Sequence, residues 1–219
     1  MNMSLSLAVI QVCVVLLFLT IIGLHVVKKN LSEAALYSLQ SLTIVVLLIA
    51  PHLNDLSPDI LAIAFLTLVV KVIFAPQFLR HMVLKNGFKF TSSTYANTPV
   101  TLLLIVGILG LVTSSIFAPL AMLAGGQHLT TSLVLAAILS SLLLVVNRKG
   151  AFSEVMGVLS LENSIVAFGI LAGLEQSAVL QLGIIFDVSI WVIVATVFVP
   201  LVYQHIGSLD VTNMKKLRD

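Results

Sequence analysis

Three ionisable residues stand inside long apolar stretches: Lys71 in FLTLVVKVIFAP, Glu162 in SEVMGVLSLENSIVAFGILAG and Asp187 in LGIIFDVSIWVIV. Two acids and a base in such surroundings can take up and release protons or small cations, because a low dielectric disfavours each charged form and an opposite charge nearby favours it. A carboxylate at bilayer mid-depth costs roughly 2.5–3.5 kcal/mol on insertion scales, so each of the three marks a candidate site. Ser160, Asn163, Ser164 and Gln181 lie near the acids in the chain and can extend such a path with hydroxyl and amide groups. The competing reading is a strut, in which Lys71 pairs with Glu162 or Asp187 and the charges only hold helices together; buried pairs are a poor source of stability.

Two further acids open apolar runs. Glu33 and Glu154 each follow a serine, as Ser32-Glu33 and Ser153-Glu154, where the positive end of a helix dipole suits a carboxylate. They read first as helix-start residues, and alternatively as the cytoplasmic mouth of a proton route. On that second reading Gln40, seven residues past Glu33, continues the route on nearly the same helix face. His25, His81 and His205 fall toward one side of the membrane, but no paired spacing among them points to haem ligation. There is no nucleophile triad, no glycine-rich phosphate loop and no cluster with metal-ligand spacing, so no catalytic residue, metal or cofactor is assigned. The single cysteine, Cys13, sits within the first apolar run, which excludes an internal disulfide and a cysteine-only cluster.

The elements that must position these groups follow from composition. Of the 219 residues, 59% are apolar and only 9% charged, whereas soluble domains carry about 25% charged residues. An all-α, polytopic membrane protein is expected. Stretches near the ~20 residues that cross a bilayer predict about seven helices: Leu5 to Val27, Leu31 to Ala50, Ile60 to Val83, Pro99 to Leu123, Thr130 to Val146, Ala151 to Leu174 and Val179 to Gln204. No Lys or Arg precedes the first of them, so it lacks the basic region of a cleaved signal and is expected to remain as a helix. Lys28 and Lys29, then Arg80, Lys85 and Lys89, then Arg148 and Lys149, then Lys215, Lys216 and Arg218 follow the first, third, fifth and seventh helices. The remaining connections hold Asp55, Asp59 and Glu175 but no base. Because Lys and Arg collect in cytoplasmic loops, this pattern puts the N-terminus outside and the C-terminus in the cytoplasm.

The chain also reads as a repeat. The two Ser-Glu helix starts, and Phe74-Ala75-Pro76 beside Phe198-Val199-Pro200, recur at similar spacing, so helices one to three and five to seven run in the same directions. Such parallel repeats occur among transporter folds. The expected division is a first three-helix half over 1–83, a linking fourth helix within 84–129, a second half over 130–206 and a tail over 207–219. In this register Gln40 or Ser41 takes the place of Glu162. Pro76 and Pro200 each release a carbonyl four residues earlier, at Val72 and Thr196, and are expected to kink the third and seventh helices. Gly169 and Gly173 share a face and allow a close helix approach.

With these residues in view, GVLSLENSIVAFGILAG, LGIIFDVSIWVIVA, FLTLVVKVIFAP and the tail GSLDVTNMKKLRD together resemble the hydrogenase-4 component E family, over essentially the whole chain. The resemblance implies a bacterial or archaeal inner-membrane subunit of a complex-I-like nickel–iron hydrogenase, of the formate hydrogenlyase type. Its second half is similar to the small K subunit of respiratory complex I. By that similarity Glu162 matches a buried glutamate of the K subunit, and Asp187 stands about where that subunit carries another acid. Antiporter-like membrane subunits and a hydrogenase and iron–sulfur module are the implied partners, with the redox centres on those other chains. The extra helices and the first half, which lacks a matching acid, depart from the K subunit. The alternatives are a small subunit of a multi-subunit Na+/H+ antiporter and a purely structural scaffold.

Overall fold

The computed structural model describes residues 2–53, 56–85, 93–122, 128–174 and 178–206, and among them every regular element is helical. Seven helices carry the fold: α1 (Asn2–Val26), α2 (Asn30–Ile49), α3 (Pro58–Lys85), α4 (Thr98–Val112), α5 (His128–Asn147), α6 (Ala151–Leu171) and α7 (Ala178–Ile206). All but α4 are long and apolar enough to cross a membrane. The residues of the expected tail, 207–219, and Lys89, Asp55 and Glu175 lie outside the described residues.

The fourth helix is shorter than its hydropathy suggests. Expected from Pro99 to Leu123, it ends at Val112, turns through Thr113–Phe117 and resumes only as the short helical turn Ala118–Met122. The stop is chemical. Thr113 Oγ1 donates to the carbonyls of Leu109 and Gly110, and Ser114 Oγ to that of Leu111, so local hydroxyls satisfy the acceptors that a continuing helix would use. Pro119 then has no N–H to offer.

In α3 the middle of the helix, Leu68–Phe74, is wound as a π-helix with Lys71 at its centre. Pro76 follows at once, and the Val72 carbonyl four residues before it is taken by the Ser38 hydroxyl of α2 at 3.0 Å. The proline's missing donor is thus met by a neighbouring helix, as membrane-spanning helices require.

Helix bounds recur along the chain at an offset of 120–121. Val26, Asn30, Pro58 and Lys85 are answered by Asn147, Ala151, Ala178 and Ile206. Lys29 and Gly150, the residues ahead of α2 and α6, share extended backbone at φ −94°, ψ 123° and φ −93°, ψ 125°. Each pair of long helices, α1 with α2 and α5 with α6, is joined by three residues and packs as an antiparallel hairpin. In the second hairpin the approach depends on Gly157. A Cβ there would stand 2.8 Å from Val145 Cγ2 and 3.1 Å from the Val145 backbone nitrogen, so α5 and α6 touch main chain to side chain.

Two apolar clusters sit on either side of a polar seam. Val14, Leu17, Phe18 and Ile21 of α1 pack with Ile44 and Leu47 of α2 and Val134, Ala136 and Ala137 of α5. Tyr37, Leu79, Met82, Phe152, Met156 and Val192 form the other cluster, which ties α2 and α6 to α3 and α7.

Candidate functional site

Lys71 and Glu162 meet. Nζ of Lys71 lies 3.0 Å from Oε1 of Glu162, with the lysine 1% and the glutamate 14% exposed. The π-winding of α3 presents Lys71 toward the middle of α6, where Glu162 is the twelfth of 21 residues. The contact is a buried ion pair, and no hydroxyl or amide among the described residues bonds either group. Of the two pairings open from the sequence, Lys71 with Glu162 or with Asp187, the structure has the first.

Asp187 lies on the outer side of the same site. It and Glu162 line a groove of about 380 Å³ between α6 and α7, walled by Leu161, Ile165, Val166, Gly169 and Ile184. Asp187 is close enough to act electrostatically on both Lys71 and Glu162, yet its carboxylate is exposed and forms no ion pair among the described residues. Three helices therefore bring their mid-helix charges to one place, two carboxylates around one ammonium.

A line of buried polar groups runs from Glu162 along the α2–α6 contact. Asn163 Nδ2 donates to Ser41 Oγ at 3.1 Å, and Gln40 Nε2 donates to Ser160 Oγ at 2.8 Å. Ser160 and Ser164 each approach Ser141 Oγ of α5, at 3.2 and 3.4 Å. Partner pairs 120–122 residues apart, at Glu33 and two turns later at Gln40 and Ser41, require α2 and α6 to run parallel. Two completely buried atoms in the seam have no hydrogen-bond partner among the described residues, Gln40 Oε1 and Asn163 Oδ1. Leaving such atoms bare costs about 1–3 kcal/mol each, and in polar interiors they are ordinarily met by water.

The seam ends at a second ion pair. Arg148 Nη1 lies 3.4 Å from Glu33 Oε1, both residues 1% exposed, and Ser153 Oγ donates to Glu33 Oε2 at 2.8 Å. The same guanidinium donates to the carbonyls of Leu24 and Val27 at the end of α1. The Arg148 side chain thus clasps the first hairpin to the second. Glu33 is a helix-start residue, as one reading of the sequence has it, but it is buried and paired where a solvated end is expected. Burial holds Arg148 below the usual guanidinium range, and Glu33 opposes that shift. Glu154 is half-buried one residue beyond Ser153 and joins neither pair.

Of the remaining candidates, Ser160, Asn163 and Ser164 belong to the seam, and the side chain of Gln181 lies outside the described residues. His25 is buried with Nε2 at 3.0 Å from the Ser140 carbonyl, His81 is exposed, and the His205 side chain is outside the described residues. Among the described residues no group of three or more His, Cys, Asp or Glu side chains could hold a metal ion. Sequence reasoning missed Tyr37, Ser141 and the buried role of Arg148. Tyr37 had a signal, since Glu33, Tyr37, Gln40 and Ser41 follow the three- and four-residue spacing of one helix face.

Compared with protein-family models, with curated proteins and with solved structures, the chain finds no match.

Proposed function

We propose that the chain is a non-catalytic membrane-arm subunit of a complex-I-like, membrane-bound nickel–iron hydrogenase, in which Glu162, Lys71 and Asp187 pass protons laterally through the membrane. The observation that carries this reading is convergence: α6 and α7 bring Glu162 and Asp187 to one groove, and α3 brings Lys71 into contact with Glu162. A base that holds an acid's charge, beside a second acid, lets a proton be taken up and handed on without stranding a lone charge. The resemblance of GVLSLENSIVAFGILAG and LGIIFDVSIWVIVA to hydrogenase-4 component E supports the choice of complex.

On this reading the protein lies in a bacterial or archaeal inner membrane with seven spans, α4 being the short one, its N-terminus outside and its C-terminus cytoplasmic. The adjacency of Lys28, Lys29, Arg148 and Lys149, whose two connectors Arg148 draws together, supports a shared cytoplasmic face. The chain is built as two parallel three-helix halves, with the charged site confined to the second half and its contact with α3. The α2–α6 seam leads from the Glu33 end to Glu162, with water joining Tyr37, Gln40 and Asn163. Antiporter-like subunits and the hydrogenase module are its partners and carry the redox chemistry.

Purification through a tag on this chain, followed by mass spectrometry, tests the reading. Hydrogenase and iron–sulfur subunits are expected alongside antiporter-like membrane subunits. Recovery of membrane subunits alone would assign the chain to a Na+/H+ antiporter assembly instead.

A second reading is favoured by the 3.0 Å contact itself: Lys71 and Glu162 act as a strut that fixes α3 against α6. That reading requires coupled transport to survive neutralisation of the pair.

A further inference from the structure

Asp187 is a carboxylate on the outside of a membrane-spanning helix. It is exposed, within the apolar span Leu182–Leu201, and Leu182, Phe186, Ile190 and Ile193 around it are exposed as well. Against lipid, a charged carboxylate within an apolar span is costly, and such residues face a protein interior or a water-filled cavity instead. Lys71 does not meet the need, since its contact is Glu162 and it is 1% exposed. Arg80 lies nine residues beyond Lys71, more than two turns further along α3, and no ion pair joins it to Asp187 among the described residues. The site thus holds two carboxylates and one ammonium, and the unmatched charge faces outward.

We infer that the α6–α7 groove is an interface for a membrane-spanning helix of a different protein chain, which places a lysine or arginine against Asp187. Charge complementarity selects the occupant. A second copy of this chain is a poor fit, because the base it carries at this depth, Lys71, is buried against its own Glu162. The surface suits close packing: no heavy atom lies within 4 Å of where a Cβ on Gly183 would point, one turn before Asp187, and Gly169 lines the groove. α7 is also the least buried of the six long apolar helices. This inference deepens the reading of the chain as a subunit, but it stands on exposure and charge and holds whether or not the site moves protons.

The test replaces Ile190, exposed one turn beyond Asp187, with a photoreactive phenylalanine analogue in the full-length tagged chain in its native membrane. After illumination, mass spectrometry of the crosslinked peptide is expected to show a transmembrane segment of another chain with Lys or Arg within about one turn of the attachment point. Asp187→Lys should then lower recovery of that partner at least tenfold, and exchanging the partner's base for Asp in the same cells should restore it. Crosslinks only to lipid or to a second copy, or to a segment without a base there, would overturn the inference. So would unchanged partner recovery for Asp187→Leu, which a lipid-facing or water-facing position would tolerate. Because the crosslink retains Asp187, its outcome does not depend on the folding of the Asp187 variants. Proton movement is not read in either arm, so a failed relay and a failed interface remain distinguishable.

Discussion

Lys71 of α3 and Glu162 of α6 stand 3.0 Å apart in the apolar centre of the helix bundle as a buried ion pair. A buried pair this tight depends on each partner to offset the other's desolvation. Removing one leaves a buried charge uncompensated, typically at a cost of about 3–5 kcal/mol, whereas replacing both is often close to neutral. Lys71→Met should therefore lower the thermal stability of the solubilised chain sharply, and Lys71→Met with Glu162→Gln should recover most of the loss. A double variant as unstable as the single one would show that the two residues are not energetically coupled.

The Arg148 clasp makes a separate claim about assembly of the two hairpins. Its guanidinium serves Glu33 and the carbonyls of Leu24 and Val27 together, so Arg148→Met removes the counter-charge of a buried carboxylate and a donor to two backbone carbonyls. A loss of about 3–5 kcal/mol is expected, larger than for Lys28 or Lys29, whose side chains are not buried. Because both partners are buried, raising salt should change the wild-type melting temperature little, where an exposed pair would be screened. Equal effects of Arg148→Met and Lys29→Met on the melting curve would contradict the clasp.

Tyr37→Phe separates the seam's two possible roles. The hydroxyl is completely buried beside Ser41, and deleting it should cost no more than about 0.5–1.5 kcal/mol, the net worth of one hydrogen bond. If the seam conducts, coupled proton movement in the complex should fall several-fold while assembly stays normal. Vesicle pH-indicator measurements on the variant complex check this, and unchanged movement would remove Tyr37 from the route.

The long apolar helices could be read from the residues because hydropathy is a one-dimensional signal. Lys71, Glu162 and Asp187 announced themselves by being charged where their neighbours are apolar. The two Ser-Glu helix starts anticipate the register in which Lys29 and Gly150 share one backbone conformation. What stayed hidden depends on contacts across more than a hundred residues. Arg148 looks like an ordinary loop base until the α1 carbonyls close over it, and Ser38 looks inert until it meets Val72. The end of α4 at Val112 was masked because Thr113 and Ser114 interrupt an apolar run without lowering its hydropathy much, while acting locally as hydrogen-bond competitors of the helix. The π-winding at Lys71 likewise leaves no mark in composition.

The most direct test of the account is Glu162→Gln in the intact complex. The substitution keeps the shape and removes the titrating group; it also leaves the Lys71 ammonium without its counter-charge, so proton movement is compared in complexes whose assembly and electron transfer are shown to be intact. Redox-driven proton movement into sealed vesicles should fall at least tenfold. Undiminished proton movement in a fully assembled Glu162→Gln complex would contradict the relay and leave Lys71 and Glu162 as a strut.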